Sequence, residues 1–199
     1  MFTGIIQEFG TVASVTRARG LARVAVIAPR LASRIQPLES VAVNGVCLSV
    51  TQVQPPTVRF EVIRETLSLT TLGALRRGEQ VNLEPSLSLT DRLNGHLVFG
   101  HIDGTGRVAK RRQRGGELIL EIRVASRLRK FLIPKGPVAV DGVSLTVGQA
   151  LSASTFTIHL IPETLRRTVL ARRAVGDGVN LELDYLAKLV SQWLRRLPL

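Results

Sequence analysis

The sequence is written twice, and that constrains its fold more than any other feature. Val43-Asn44-Gly45-Val46-Cys47-Leu48-Ser49-Val50 aligns with Val140-Asp141-Gly142-Val143-Ser144-Leu145-Thr146-Val147 at a shift of 97 residues. Glu65-Thr66-Leu67 aligns with Glu163-Thr164-Leu165, and Val81-Asn82-Leu83-Glu84 with Val179-Asn180-Leu181-Glu182, both at 98. At the front, Gly4, Ile6, Gly10 and Val12 match Gly100, Ile102, Gly106 and Val108 at 96. Four ordered matches whose shift drifts by only two residues mark a duplicated domain rather than a solenoid. The junction falls between Pro85 and Val98. Each copy has about 97 residues, a size at which a single core is marginal, so assembly with other copies is expected.

Each copy reads as mostly β. Asn44-Gly45 and Asp141-Gly142 sit between Val-rich segments, a hairpin signature. Between Val46 and Gln52 the apolar Val46, Leu48 and Val50 alternate with Cys47, Ser49 and Thr51, so the strand has one apolar and one polar face. Further β-rich runs are 10–17, 21–28, 57–63 and 80–84, repeated at 106–112, 118–125, 143–150, 155–161 and 179–184. About six short strands per copy with frequent turns predict small closed barrels rather than a parallel sheet. Helical turns are expected at 30–35, 65–72, 127–132 and 163–170. The tail leaves the repeat: Leu186, Leu189, Val190, Trp193, Leu194 and Leu197 recur at helical spacing among Lys188, Gln192, Arg195 and Arg196. This amphipathic helix has no counterpart in the first copy. It packs either on its own barrel or with copies of itself, and the second is favoured.

Composition excludes several classes. Lys and Arg number 27 against 15 Asp and Glu, a net charge of +12, which invites a nucleic-acid reading. The arginines are nevertheless scattered among turns and element ends. Six Phe, one Trp and one Tyr supply a base-stacking platform poorly. An Arg-rich solvated surface is the simpler account. No apolar run approaches the length of a membrane span. The N-terminus does not read as a secretory signal, and the single Cys47 allows no internal disulfide, so a cytoplasmic protein is expected.

Neither a dinucleotide fingerprint nor a Walker loop is present. His96, His101, His159 and Cys47 have no metal-ligand spacing. Cys47 is a small buried hydrophobe or a thiol nucleophile, and its place on the polar strand face tips it toward lining a pocket. His101, between Gly100 and Ile102-Asp103-Gly104, is the best general-base candidate, whereas His159 reads as a strand-face residue. Two copies of one pocket suit two copies of one ligand. Holding two identical molecules against each other turns a bimolecular reaction into a positioned one.

Phe2-Thr3-Gly4-Ile5-Ile6, Asn44 to Val50, Gly95-His96-Leu97-Val98-Phe99-Gly100-His101-Ile102-Asp103-Gly104, Asp141 to Val147 and Ile161-Pro162-Glu163-Thr164-Leu165 together resemble the riboflavin synthase family across residues 1–190. The resemblance implies an all-β fold: two tandem six-stranded Greek-key barrels, residues 1–97 and 98–185, followed by a trimerisation helix at 186–199. It implies dismutation of two 6,7-dimethyl-8-ribityllumazine molecules by four-carbon transfer, giving riboflavin and a ribitylamino-pyrimidinedione. It implies no cofactor or metal, a homotrimer, and lumazine synthase as a partner. The active site would be a cleft between the N-barrel of one subunit and the C-barrel of its neighbour.

Carried over by position, the N-half pocket uses Gly4, Ile5 and Ile6, Cys47, Leu48 and Ser49, and Glu61, Val62, Ile63, Arg64, Glu65 and Thr66, closed by Gly100, His101 and Ile102. The C-half pocket uses Lys135, Ser144, Leu145 and Thr146, with Ile161, Pro162, Glu163, Thr164, Leu165 and Arg166. Ser40, Cys47, His101 and Asp184 occupy the family's polar positions near the reacting atoms. His101 would take a proton from a C7 methyl, Cys47 or a group held by Ser40 would supply the nucleophile, and Asp184 would orient or neutralise charge. Ser49, Thr66, Thr146 and Thr164 would read the dione edge, and Glu65 and Glu163 the ribityl hydroxyls. Ser49 replaces the usual Thr and keeps its hydroxyl. Phe99 replaces the usual Ser and reshapes the pocket mouth beside His101. Ser86 stands opposite Asp184 and Cys47 opposite Ser144, so the halves differ. A non-catalytic lumazine- or flavin-binding antenna protein is the second reading, and an RNA-binding barrel the third.

Overall fold

The alternation between Val46 and Thr51 reappears as burial: Val46, Leu48 and Val50 face inward while Ser49 and Thr51 face out. In a computed structural model describing residues 1–194, this pattern closes each half into a six-stranded antiparallel barrel. The first comprises β1 (Glu8–Ala18), β2 (Leu21–Ile27), β3 (Ser40–Val43), β4 (Val46–Gln54), β5 (Thr57–Ile63) and β6 (Gln80–Pro85), in the order β1-β2-β5-β4-β3-β6. The second comprises β7 (Gly104–Arg114), β8 (Glu117–Arg123), β9 (Pro137–Val140), β10 (Val143–Leu151), β11 (Thr155–Leu160) and β12 (Gly178–Leu183), in the equivalent order. The register slips at matching places, after Val12 and Val50 in one barrel and after Val108 and Val147 in the other. Such bulges tighten the coil that closure requires.

Short helices interrupt the strands: α1 (Pro29–Ala32) and α3 (Ser126–Arg129), which bury Leu31 and Leu128, and α2 (Arg64–Leu69) and α4 (Pro162–Arg167). The helical stretch expected over 65–72 breaks after Leu69. There the extended Thr70 turns its hydroxyl back to the Thr66 carbonyl (2.7 Å) and a separate 3-10 turn begins. Thr168 does the same to Thr164 at 2.8 Å. At Thr70 the hydroxyl shares the Thr66 carbonyl with the residue's own N–H (3.1 Å), and the helix ends there.

The segments that lead into each barrel are exchanged. Phe2 pairs with its own repeat equivalent, Val98, through reciprocal backbone bonds of 2.7 and 3.1 Å, so a pseudo-twofold axis passes between them. Beyond that crossing, Ile6 enters the core of the second barrel and Ile102 the core of the first. Where the barrels meet, each β-hairpin turn is clasped by the opposite half. The Asn82 side chain donates to the Asp141 carbonyl (2.9 Å) and accepts from Val169 N–H (2.8 Å). Asn180 does the same to the Asn44 carbonyl (2.9 Å) and Thr71 N–H (2.8 Å). Both asparagines are fully buried, so every one of these groups depends on the other half for its partner.

The tail forms α5 (Tyr185–Leu194), anchored where Lys188 contacts both oxygens of Asp103 at 3.0 and 2.9 Å. Leu186, Leu189, Val190, Trp193 and Leu194 are all exposed, so α5 does not bury its apolar residues on its own barrel. Arg195, Arg196 and Leu197 lie outside the described residues. No helix among the described residues is long and apolar enough to cross a membrane.

Candidate functional site

The exchanged segments build two related sites. Gly100, at φ +78°, lays its backbone on Cys47, whose N–H donates to the Gly100 carbonyl (2.9 Å). A Cβ there would lie 2.5 Å from Cys47 Cβ. Gly4, at φ +76°, lies in the same way on Ser144, whose N–H donates to its carbonyl (2.8 Å). Each segment is gripped by a buried glutamate. Glu84 accepts from Thr3 N–H (2.7 Å), the Thr3 hydroxyl (2.8 Å) and Gly4 N–H (3.0 Å). Glu182 accepts from Phe99 N–H (2.6 Å) and Gly100 N–H (2.8 Å). The sequence reading grouped Gly4, Ile5 and Ile6 with Cys47. The fold moves them to Ser144, because each leading segment crosses to the opposite barrel.

On the second barrel, Lys135, Ser144, Thr146, His159, Ile161 and Thr164 line an open cavity of about 550 Å³. Four hydroxyl groups in its lining, of Ser144, Thr146, Thr157 and Thr164, and the apolar Leu145 and Ile161 suit a flat, polar-edged ring. The equivalent face of the first barrel carries Cys47, Ser49, Glu61, Ile63 and Thr66. Ser40 pairs across the sheet with Ser49. Glu61 is bound to Arg23 at 2.9 Å. Ile6, Leu48, Val62 and Ile102 are core residues, which hold their neighbours in place rather than present a polar group. Pro162 starts α4, with Leu165 packed on the core beneath it. Glu163 is engaged by Arg166 and Arg167, whose hydrogen bonds hold its carboxyl below the usual range. On α2, Glu65 is exposed beside Arg64 and has no such clamp among the described residues.

The proposed catalytic groups divide between the barrels. Ser40, Cys47 and His101 gather at the first, where the His101 ring stacks beside Phe99 at 6.3 Å. Phe99 in turn packs on Tyr185 at the start of α5, 5.0 Å away. Asp184 belongs with the second barrel, near His96, and caps the first turn of α5. His96 is the residue sequence reasoning passed over. Its Nδ1 lies 2.7 Å from the Ser144 hydroxyl, and burial lowers its pKa despite the opposing field of Asp184. It is therefore neutral near pH 7 and able to accept a proton. Its signal was present in Gly95-His96, which repeats the Gly100-His101 pairing five residues earlier.

Glu182→Ala tests the grip on Gly100. Loss of both acceptors should destabilise by about 2–4 kcal/mol in urea unfolding, with Glu182→Gln intermediate because one acceptor remains. Burial pushes the carboxyls of both Glu84 and Glu182 up. Each thus binds its proton more tightly folded than unfolded, and its contribution to stability falls as pH rises through that interval. Glu182→Ala should therefore flatten the gain in stability seen as pH falls toward the ordinary glutamate range of about 4.

Two barrels, each presenting one copy of a hydroxyl-rich face capped by a glycine from the other half's leading segment, define a tandem small-ligand-binding protein. The lumazine binding domain matches the chain twice, over residues 3–86 and 99–184. Riboflavin synthase of Actinobacillus pleuropneumoniae is 37% identical over 100% of this chain and 92% of its own length. The Bacillus subtilis enzyme is 35% identical, covering 98% and 91%. That of Mycobacterium tuberculosis is 39% identical, covering 98% of each. The structure of LumP complexed with riboflavin superposes with a TM-score of 0.87 at 23% identity, covering 92% of this chain and all of LumP, a likeness of fold. The chain belongs to the riboflavin synthase family of lumazine-binding proteins, and with it to the transferase-type enzymes.

Proposed function

We propose that this protein dismutates two 6,7-dimethyl-8-ribityllumazine molecules by four-carbon transfer, giving riboflavin and 5-amino-6-ribitylamino-pyrimidinedione. It does so in the cytoplasm as a homotrimer, with lumazine synthase as a partner. The observation that carries this reading is the pair of matching faces, one around Cys47 and Gly100 and one around Ser144 and Gly4. Two equal sites suit two equal substrates, and the reaction then depends mainly on holding the rings in register. The division of the polar groups supports a site shared between subunits. The first barrel of one chain supplies Ser40, Cys47 and His101, and the second barrel of its neighbour supplies Asp184, His96 and Ser144. The uncovered apolar residues of α5 support assembly through that helix. The organisation is then 1–97 and 98–185 as the binding units and 186–199 as the assembly helix.

His101 removes the methyl proton of one lumazine. Cys47, or a hydroxyl held by Ser40, adds to the other ring. Asp184 balances the charge that develops. Flavin absorbance on incubation with the lumazine tests this, and His101→Ala should reduce turnover by about 10²–10⁴-fold. A second reading rests on the LumP-like fold: a binding protein without catalysis. Tight binding of the lumazine with no flavin formed would establish it. Neither binding nor turnover would dismiss both.

A further inference from the structure

A cavity larger than the one on the second barrel lies away from both faces just described. It is a cleft of about 960 Å³ between the barrels, bounded by the start of β6, the β7–β8 sheet and the 3-10 turn at Val169–Arg172. Its floor departs from the repeat. In the first barrel Thr11 and Ile27 face each other across β1 and β2. The equivalent pair across β7 and β8 is Arg107 and Arg123. Like charges directly opposite on a sheet repel. Both side chains are exposed, and among the described residues neither has a carboxylate within ion-pair distance. Thr105, two residues before Arg107 on the same strand face, adds a hydroxyl where the first barrel has Phe9.

The rest of the lining narrows the ligand. Arg172 reaches in from the facing wall, its guanidinium 5.6 Å from the Phe9 ring, while Arg173 is already neutralised by Asp141. Glu79 and Asp177 also line the cleft, and each accepts a backbone N–H of its own turn, at 3.1 and 2.9 Å. They offer free acceptor capacity to hydroxyls. Thr71 Oγ1 and Gln80 Oε1, buried within the same wall, have no hydrogen-bond partner among the described residues. Among the described residues the lining contains no aromatic ring, so ring-on-ring stacking of a base or heterocycle is not offered there. The volume is far more than an inorganic anion needs and lies within the range of small-molecule sites.

We infer that this cleft is a second ligand site, for a phosphate ester of a sugar or polyol. Arg107 and Arg123 bind the phosphate, and Glu79 and Asp177 accept from the hydroxyls. Arg107 also donates from Nη1 to the Gly176 carbonyl, which holds its guanidinium at the cleft wall; its remaining N–H groups and the Arg123 fork on the adjacent strand match the oxygens of one phosphate, and occupancy removes their mutual repulsion.

The test is calorimetric titration of the full chain with D-ribose 5-phosphate, inorganic phosphate and D-ribose. Ribose 5-phosphate should bind saturably, inorganic phosphate more weakly, and ribose not measurably. Arg107→Gln/Arg123→Gln should weaken ribose 5-phosphate at least about tenfold, the loss expected for one charge-assisted hydrogen bond. It should melt no lower than wild type, since a like-charge pair is relieved. Arg19→Gln/Arg114→Gln removes the same charge at two hairpin ends and should leave affinity within about twofold. If the first double variant melts lower, Arg107→Lys/Arg123→Lys keeps the charge and should weaken binding through loss of the fork alone. The proposal fails if wild type shows no saturable binding, if inorganic phosphate binds as tightly as the ester, or if both double Gln variants weaken alike. It fails equally if a single-stranded RNA binds the cleft and the ester does not.

Discussion

Arg173→Leu is expected to destabilise the protein by about 3–5 kcal/mol, and adding Asp141→Asn is expected to recover most of that loss. Asp141 is fully buried in the turn between β9 and β10, and its Oδ2 accepts from Arg173 Nε (2.9 Å) and Nη2 (2.6 Å). Its other oxygen accepts from Asn180 N–H at 2.8 Å. Burial pushes the Asp141 carboxyl up, and Arg173 is the charge that opposes this. Removing the arginine strands a carboxylate in the interface between the barrels. The repeat shows what the neutral alternative looks like. Asn44 occupies the equivalent of Asp141 and makes the same bond, to Asn82 N–H at 2.8 Å, while Leu75, buried, occupies the equivalent of Arg173. The double variant therefore copies a packing the molecule already uses. Urea midpoints of the wild type, both single variants and the double give the coupling directly. The pH dependence adds a second check. With Arg173 gone, the folded pKa of Asp141 rises further above its unfolded value. The penalty then shrinks as pH falls through that raised folded pKa and is gone by about pH 4, where the carboxyl is protonated in both states. A double variant as unstable as Arg173→Leu, or a penalty independent of pH, would count against this account.

The barrels were legible because a period of two leaves its mark on every strand, and because the repeat supplies each strand's evidence twice. Val46–Gln54 and Val143–Leu151 could be read from alternation alone. The exchange of leading segments could not. Ile6 and Ile102 show as apolar residues at the right spacing, yet nothing local says that each belongs to the opposite core. The same gap misassigned Gly4 to Ile6 at the site, since a residue's number places it in one half and its packing in the other. His96 was missed for a related reason. Its meaning comes from Ser144, 48 residues away, and from Asp184, neither of which its own neighbours announce. Nothing local marks Glu84 and Glu182, which the sequence shows only as the ends of a repeated motif, as buried clamps on the segments that cap the sites. The Arg107–Arg123 pair was hidden among scattered arginines until the register set the two face to face.

Gly45→Ala should lower stability by about 2–5 kcal/mol, the sum of two separable effects. Gly45 sits at φ +80° in the hairpin turn after Asn44, where a side chain strains the backbone by about 1–2 kcal/mol. A Cβ at Gly45 would also lie 2.6 Å from Gly142 N and 2.8 Å from Gly142 Cα, because the two hairpin turns cross back to back at the pseudo-twofold axis. That contact is backbone against backbone, so no side chain can rotate away and the barrels must separate. Gly20 provides the comparison: it has φ +79° and nothing within 4 Å of its virtual Cβ. Gly20→Ala should therefore show the backbone strain alone, and the difference between the two variants measures the inter-barrel contact. Gly142→Ala should match Gly45→Ala, since its Cβ would lie 2.7 Å from Gly45 N. The two together should lose less than the sum, as the first already opens the gap the second needs. Equal losses for Gly45→Ala and Gly20→Ala would mean that the barrels yield freely at the axis. The clasp of Asn82 and Asn180 argues against that, because any opening pulls apart four hydrogen bonds between the halves, three of them buried.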